Sequence, residues 1–390
     1  MAQNSLEDVF GTLRRRPDVE APNLQAWDAT DRLLLEAAAL RGVTPESRVA
    51  VIGDRYGALT LGTLAALGVP HIRVHQDLIT GERALRNNAE ALELDGRGEP
   101  GTRGDAAFEQ LPLGKDLLSG ADTVLLQLPR TLAELEEIAD AVARHAAPDV
   151  VLLAGGRVKH MSLGMNAVLE RHFRTVQPQL ARQKSRIILA RDARESSGPE
   201  PVPAVEHLPE LDLDVAAHGA VFAGPRLDIG TRFLLTFLPQ MPAARHAIDL
   251  GCGTGILAAM YAQQNPASKV TATDQSAAAV ASALGTARAN GLADRISVLQ
   301  DDAMGTLAAG SADLVLLNPP FHVGASVHAG AGIKLFEAAA RVLAPGGELW
   351  TVFNRHLHYL PALERLVGPT TVKGQNPKFT VTVSIRRPGQ

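Results

Sequence analysis

An α/β fold of two tandem Rossmann-like domains, the first degenerate, is predicted by three observations. The short apolar strand Ala247-Ile248-Asp249-Leu250 runs into a glycine loop, Gly251-Cys252-Gly253-Thr254-Gly255, and the good helix formers Ile256 to Tyr261 follow it. A second strand, Lys269 to Thr273, ends in an acid, Asp274, roughly 20 residues on. The amino-terminal half carries the same features in the same order, with different side chains at the decisive positions.

In chain order, Met1 to Arg16 holds no apolar stretch long enough for a signal peptide, and no run anywhere approaches about 18 uninterrupted apolar residues. A cytoplasmic protein without a membrane partner is expected. The 390 residues suit about two to three domains, and 46% hydrophobic content gives each a full core. Val49 to Leu59 can be laid on Ala247 to Leu257, keeping the first and last glycine; Thr123 to Pro129 matches the strand Ala312 to Leu317, and Ala167 to Phe173 matches Pro361 to Val367. Three similarities in one order predict a duplication. In the first copy Asp249 is replaced by Val51, Gly253 by Arg55, Asp274 by about Gln76 and Asn318 by Gln127, so that copy should not bind cofactor. Asp95 to Gly101 reads as an insertion. Glu195 to Ala217, rich in Pro, Ser and Glu, reads as a linker between a substrate-recognition domain (1–194) and a catalytic domain (218–390).

The net charge of −4 conceals a division: residues 225–390 carry 14 basic and 10 acidic side chains, and the remainder of the chain sums to −8. Between Gly155 and Arg194, however, nine basic residues face only Glu170 and Asp192. That local charge suits a phosphate backbone, with Arg182, Lys184 and Arg186 as RNA-binding candidates. A single cysteine, Cys252, excludes an intramolecular disulfide, and the histidine spacings (His160/His172, His322/His328, His356/His358) lack a carboxylate partner for a metal site.

The glycine loop lies where a small ligand can touch backbone, and Asp274 is placed to accept hydrogen bonds from ribose hydroxyls. A dinucleotide would prefer Gly-x-Gly-x-x-Gly. The pattern here, Gly-x-Gly-x-Gly led by Asp249, resembles the methionine-side loop of class I methyltransferases, so S-adenosylmethionine is expected ahead of a nicotinamide cofactor. Asp301 and Asp302 follow a further strand, and Asp302, directly before the small Ala303, is preferred for the adenine amine. The cofactor-binding candidates are Asp249, Gly251, Gly253, Thr254, Gly255, Asp274, Asp302 and Asn318.

Asn318-Pro319-Pro320-Phe321 follows the apolar run Ala312 to Leu317 and supplies the reaction type. An exocyclic amine on a nucleobase is a poor nucleophile because its lone pair is delocalised into the ring. It needs geometry more than a strong base. The Asn318 side-chain oxygen and the Pro319 carbonyl can accept from the two amine hydrogens, the prolines stiffen the loop, and Phe321 offers a face for the base. Catalysis is then mainly proximity and orientation, with Asn318, Pro319 and Phe321 as its residues.

With Asn318 to His322 and the doubled plan, the chain resembles the bacterial ribosomal RNA guanine-N2 methyltransferases, the RsmC and RlmG group. The likeness is strong from Phe222 to Val383 and weak before about Ala190. Leu227 to Leu235 looks like the family's segment packed over the methionine end of the cofactor, and Asn354 to Tyr359 with Lys378-Phe379 is closer to the large-subunit branch. The resemblance implies S-adenosylmethionine as donor, guanine N2 as acceptor, the duplicated domains, and 23S RNA or an assembling subunit as partner, with 16S RNA as the alternative; no metal is expected, from the histidine and cysteine spacing alone. A monomer is expected. Two other classes use a similar motif: release-factor glutamine methyltransferases, where a tyrosine generally follows Asn-Pro-Pro, and DNA adenine-N6 methyltransferases. Phe321-His322 and the duplicated half weigh against the glutamine methyltransferases, and the usual tyrosine or tryptophan in place of Phe321 weighs against adenine-N6 methylation.

Overall fold

A computed structural model describes residues 6–94, 107–196, 198–319 and 328–388, with backbone alone for 328–331. The chain divides into two compact units, Met1–Pro201 and Val202–Gln390.

Runs of three to nine residues, apolar in the central β1 and β4, make the strands of the first unit: β1 (Val49–Ile52), β2 (Ile72–His75), β3 (Phe108–Gln110), β4 (Thr123–Gln127), β5 (Val151–Arg157), β6 (Phe173–Pro178) and β7 (Ser185–Ala193). They form one sheet in the order β3-β2-β1-β4-β5-β7-β6, parallel except where β7 runs antiparallel to its neighbours. Around it lie α1 (Leu6–Thr12), α2 (Ala29–Leu40), α3 (Ala58–Leu67), α4 (Ile79–Ala91), α5 (Lys115–Leu118), α6 (Leu132–His145) and α7 (Leu163–His172). Alternate residues of β1 and β4 enter two separate apolar clusters: Val49, Val51 and Leu125 in one, Ala50, Ile52, Val124 and Leu126 in the other. Both faces of the sheet are therefore covered, which is why its strands read as continuous apolar runs.

The second unit opens with a hairpin, β8 (Ala204–Leu208) and β9 (Leu213–Ala217). Its helices are α8 (Ile229–Leu235), α9 (Ile256–Gln264), α10 (Ala277–Ala289), α11 (His328–Val342) and α12 (Leu360–Leu366). Its strands are β10 (His246–Leu250), β11 (Lys269–Asp274), β12 (Ile296–Gln300), β13 (Ala312–Leu317), β14 (Leu343–Asn354), β15 (Thr370–Gln375) and β16 (Phe379–Ile385). Their order, β12-β11-β10-β13-β14-β16-β15, repeats that of the first unit.

The hairpin corrects the expected linker over 195–217. β9 packs on α10: the N–H groups of Ala216 and Asp214 donate to Thr286 Oγ1 (3.1 Å) and Asn290 Oδ1 (3.0 Å), and Gly285 leaves room for the Ala216 methyl. β8 is exposed along four of its five residues, and the proline, serine and glutamate ahead of it read as linker although its backbone is paired.

The duplication extends to strand register. Leu250 pairs with Leu317 in the second sheet and Ile52 with Leu126 in the first, which sets Gly251 beside Asn318 and Gly53 beside Gln127. The Gly251 N–H donates to Thr273 O (2.8 Å) and the Gly53 N–H to His75 O (3.1 Å), so Asp274 and Gln76 are also equivalent. In each sheet the chain changes direction of winding between these central strands, and the crevice at their carboxyl ends is where an open α/β sheet binds ligand.

Candidate active site

The glycine loop turns from β10 into α9 with Gly251, Gly253 and Gly255 all in the left-handed region (φ 73°, 52° and 76°). Gly255 is the N-cap of α9 and has no side chain to cap with. Asp249 does so from the strand: the Ala258 N–H donates to its Oδ2 (2.9 Å). Burial pushes the Asp249 carboxyl up to about 7, against the opposing pull of the Ala258 N–H. Its Oδ1 is buried with no hydrogen-bond partner among the described residues. An acid in that state fits the ammonium of S-adenosylmethionine. Gly251 faces open space where a side chain would stand, so a ligand can reach its backbone. Thr254 is buried in the loop. Cys252 is buried too, and burial raises its thiol pKa, so it is no nucleophile.

Asp274 closes the loop from β11. Its Oδ2 accepts from the Gly253 N–H (3.1 Å) and its Oδ1 from the Ser276 N–H (3.0 Å), which aims the carboxylate along the carboxyl edge of the sheet. The two acids after β12 separate cleanly. Asp301 is 2% exposed and holds its own turn, accepting from the Asp302 and Thr306 N–H groups and the Thr306 hydroxyl. Asp302, its side chain 14% exposed, is held by Lys334 Nζ of α11, 2.6 Å from both oxygens. An adenine amine at Asp302 therefore meets a carboxylate already shared with a lysine.

Asn318 leaves β13 and meets the start of α8. Its Nδ2 donates to Asp228 Oδ2 (3.0 Å) and to Thr231 Oγ1 (2.9 Å), while Oδ1 is buried and has no partner among the described residues. Gly230 lies against the amide: a methyl group there would stand 3.2 Å from Oδ1 and 3.3 Å from Nδ2. Pro319 is buried beside it. Phe321, the expected stacking face, lies outside the described residues. The site thus gathers Asp249, the three glycines, Asp274, Asp302 and Asn318 on one sheet edge. Asp228, Thr231 and Lys334 join it from α8 and α11. Asp228 and Thr231 lie in the segment Leu227 to Leu235 that the resemblance set over the cofactor, but their contact with Asn318 had no signal in the sequence beyond a helix cap, an acid three residues ahead of Thr231 and an apolar run.

Comparison with known proteins matches both units. An RLMG N-terminal domain model covers residues 1–194, and a methyltransferase small domain model covers residues 212–383. Proteins called ribosomal RNA large subunit methyltransferase G from Pseudomonas paraeruginosa and Streptomyces coelicolor are 38% and 34% identical to this chain, over 95% and 96% of it and 96% and 97% of themselves. The chain belongs to the ribosomal RNA large subunit methyltransferase G family. A solved structure of a T. thermophilus 16S rRNA N2 G1207 methyltransferase with AdoMet and guanosine aligns over 95% of this chain and 97% of that one. Its TM-score of 0.72 at 19% identity is a likeness of fold.

In this member of the large subunit methyltransferase G family, the basic segment of the first unit is more engaged than its composition suggests. Arg182 pairs with Glu36 (3.1 Å), Arg171 with Glu136, and Arg157 with Asp28 (3.9 Å). Arg186 is half-buried on β7, with an unpartnered Nε. Lys184 is exposed in the turn between β6 and β7, and neither it nor Arg186 has a carboxylate beside it among the described residues. No group of three or more metal-ligating side chains is found among the described residues.

Proposed function

We propose that this chain transfers a methyl group from S-adenosylmethionine to the exocyclic N2 amine of a guanine in large-subunit (23S) ribosomal RNA. The observation that carries the reading is the idle, buried oxygen of Asn318 at the carboxyl end of β13, one strand from the open backbone of Gly251. S-adenosylmethionine supplies an electrophilic methyl group. Asp249 and Asp274 would hold its ammonium and ribose, and the glycine loop its methionine backbone. Asn318 Oδ1 accepts one N–H of the guanine amine, and the Pro319 carbonyl the other. With both hydrogens held, the nitrogen lone pair turns out of conjugation with the ring and toward the cofactor cleft. The N2–CH3 bond would form as the S–CH3 bond breaks, S-adenosylhomocysteine would leave as the neutral thioether, and the methylated nitrogen, strongly acidic while protonated, would give its extra proton to water, so that no strong base is needed.

The first unit, in this proposal, binds no cofactor and serves substrate recognition, and its own residues support that. In place of a cap behind the loop, Asp54 stands within it, accepting from the Gly57 N–H (3.1 Å) and the Thr60 N–H (2.7 Å) at the start of α3. The Asn88 amide fastens Arg14 and Tyr56 to one another through their backbones, and the Tyr56 hydroxyl donates to Asp18 (2.6 Å). The loop is thus filled and covered by the unit's own side chains, with neutral Gln76 in place of Asp274. Lys184 is the leading RNA contact. The enzyme would work as a monomer in the cytoplasm.

The test is methyl transfer from labelled S-adenosylmethionine to deproteinised 23S and 16S RNA, followed by nucleoside analysis. Label recovered as N2-methylguanosine from 23S RNA alone is expected. Label in 16S RNA or in another nucleoside would contradict the proposal.

A further inference from the structure

We infer that Asp228 and Thr231 are positioning residues that set the Asn318 carboxamide with its nitrogen turned into the protein and its oxygen turned to the substrate amine. The inference rests on the proposed reaction and names what makes Asn318 competent for it. A carboxamide has two faces of opposite character that differ by a half-turn: one presents a donor and the other an acceptor. Only the acceptor serves an amine whose hydrogens must be held.

Asp228 decides between the two. It is the N-cap of α8, and its Oδ2 accepts from the Gly230 N–H (2.9 Å), the Thr231 N–H (3.1 Å) and Asn318 Nδ2 (3.0 Å). A carboxylate only accepts, so a reversed amide would bring its oxygen against an oxygen carrying negative charge. Thr231 Oγ1 takes the second Nδ2 hydrogen (2.9 Å). With both hydrogens engaged, Oδ1 alone is left over, buried and unpaired among the described residues. A lone acceptor in that condition is costly to keep unless something arrives to use it. Gly230 permits the fit, since a methyl group there would stand 3.0 Å from Asp228 Oδ2 and 3.2 Å from Asn318 Oδ1.

The first unit holds a counterpart. Gln127 Nε2 donates to Asp31 Oδ1, and Asp31 occupies the third position of α2 behind the cap Asp28, as Thr231 does in α8 behind Asp228. Such a brace also fastens a helix to a strand, so the test must separate orientation from support.

Asp228→Asn keeps a good cap but can donate as well as accept, and so releases the amide. It is expected to lower kcat about tenfold or more while leaving KM for S-adenosylmethionine and the melting temperature near wild type. Thr231→Ser should retain activity, and Thr231→Val should lose several-fold, as a hydroxyl acceptor requires. The decisive measurement is the double variant. On an Asn318→Ala background, Asp228→Asn should cost nothing further, because there is no amide left to orient. An equal loss on both backgrounds, or unchanged kcat on the wild-type background, overturns the inference. If Asn318→Ala itself retains wild-type turnover, the role of Asn318 in the proposed reaction fails and the inference falls with it.

Discussion

A carboxamide with its nitrogen doubly engaged and its oxygen idle predicts how Asn318 should respond to substitution. Asn318→Ala should lower kcat on the order of 100-fold, the usual loss for one aligned hydrogen-bonding group, with cofactor affinity by calorimetry nearly unchanged. Equal loss of affinity would make Asn318 a cofactor residue instead. Asp249 makes a prediction about pH. Its carboxyl stands near 7 in the fold against an ordinary value of 3.8, so the folded chain holds this proton more tightly than the unfolded chain. Its stabilising contribution is whole below about pH 4 and is lost as pH rises through about 7. An ammonium beside it favours the charged form. Cofactor affinity should therefore rise with pH through about 7, and Asp249→Asn should flatten that rise while making the ligand-free protein relatively more stable at pH 8 than wild type. A pH-independent wild-type affinity would remove the ammonium from Asp249. The acids on the sheet edge were legible because each lies at or just beyond the carboxyl end of a strand. The partners of Asn318 and Asp302 were not, since Asp228 lies 90 residues and Lys334 32 residues away along the chain.

At the scale of elements, the glycine loop shows that equal letters do unequal work. Gly255 has a left-handed φ of 76°, and a methyl group there would stand 2.9 Å from the Ala283 methyl and 3.0 Å from its Cα, against the backbone of α10. Gly255→Ala should destabilise the unit by about 1–3 kcal/mol, seen as a lower melting temperature. Gly251→Ala has a similar φ of 73° but open space, so the same substitution should cost only the left-handed backbone strain, about 1–2 kcal/mol, and appear chiefly as weakened cofactor binding. If the two variants melt alike and bind alike, the loop is a simple turn. The strands around this loop were plain in the sequence because both faces of the sheet are buried and their runs are unbroken. The hairpin of β8 and β9 was obscured by its exposed face. The buried residues of β9, Leu213, Val215, Ala216 and Ala217, are a run too short to outweigh the proline and glutamate around it.

Across the whole chain, one topology serves twice and its chemistry is proposed to serve once. Strand order and register agree between the units, yet the helix-capping carboxylate has moved from the strand, at Asp249, to the loop itself, at Asp54. The sequence alignment recorded this as a loss, Asp249 to Val51, because it compares positions and not the N–H groups they satisfy. One S-adenosylmethionine per full-length chain is expected by calorimetry, and two would mean that the first unit also binds. The local charge of the first unit was legible, but its distribution was not, because Glu36, Glu136 and Asp28 reach it from other elements. Lys184→Glu should weaken RNA binding and flatten its salt dependence more than Arg182→Glu does. The central claim is met most directly by mass spectrometry of ribonuclease fragments of ribosomal RNA from a strain lacking this protein beside its parent. Loss of one methyl group from a single guanine of large-subunit RNA, restored by the wild-type chain and not by Asn318→Ala, is the predicted result; ribosomal RNA unchanged in both subunits would contradict it.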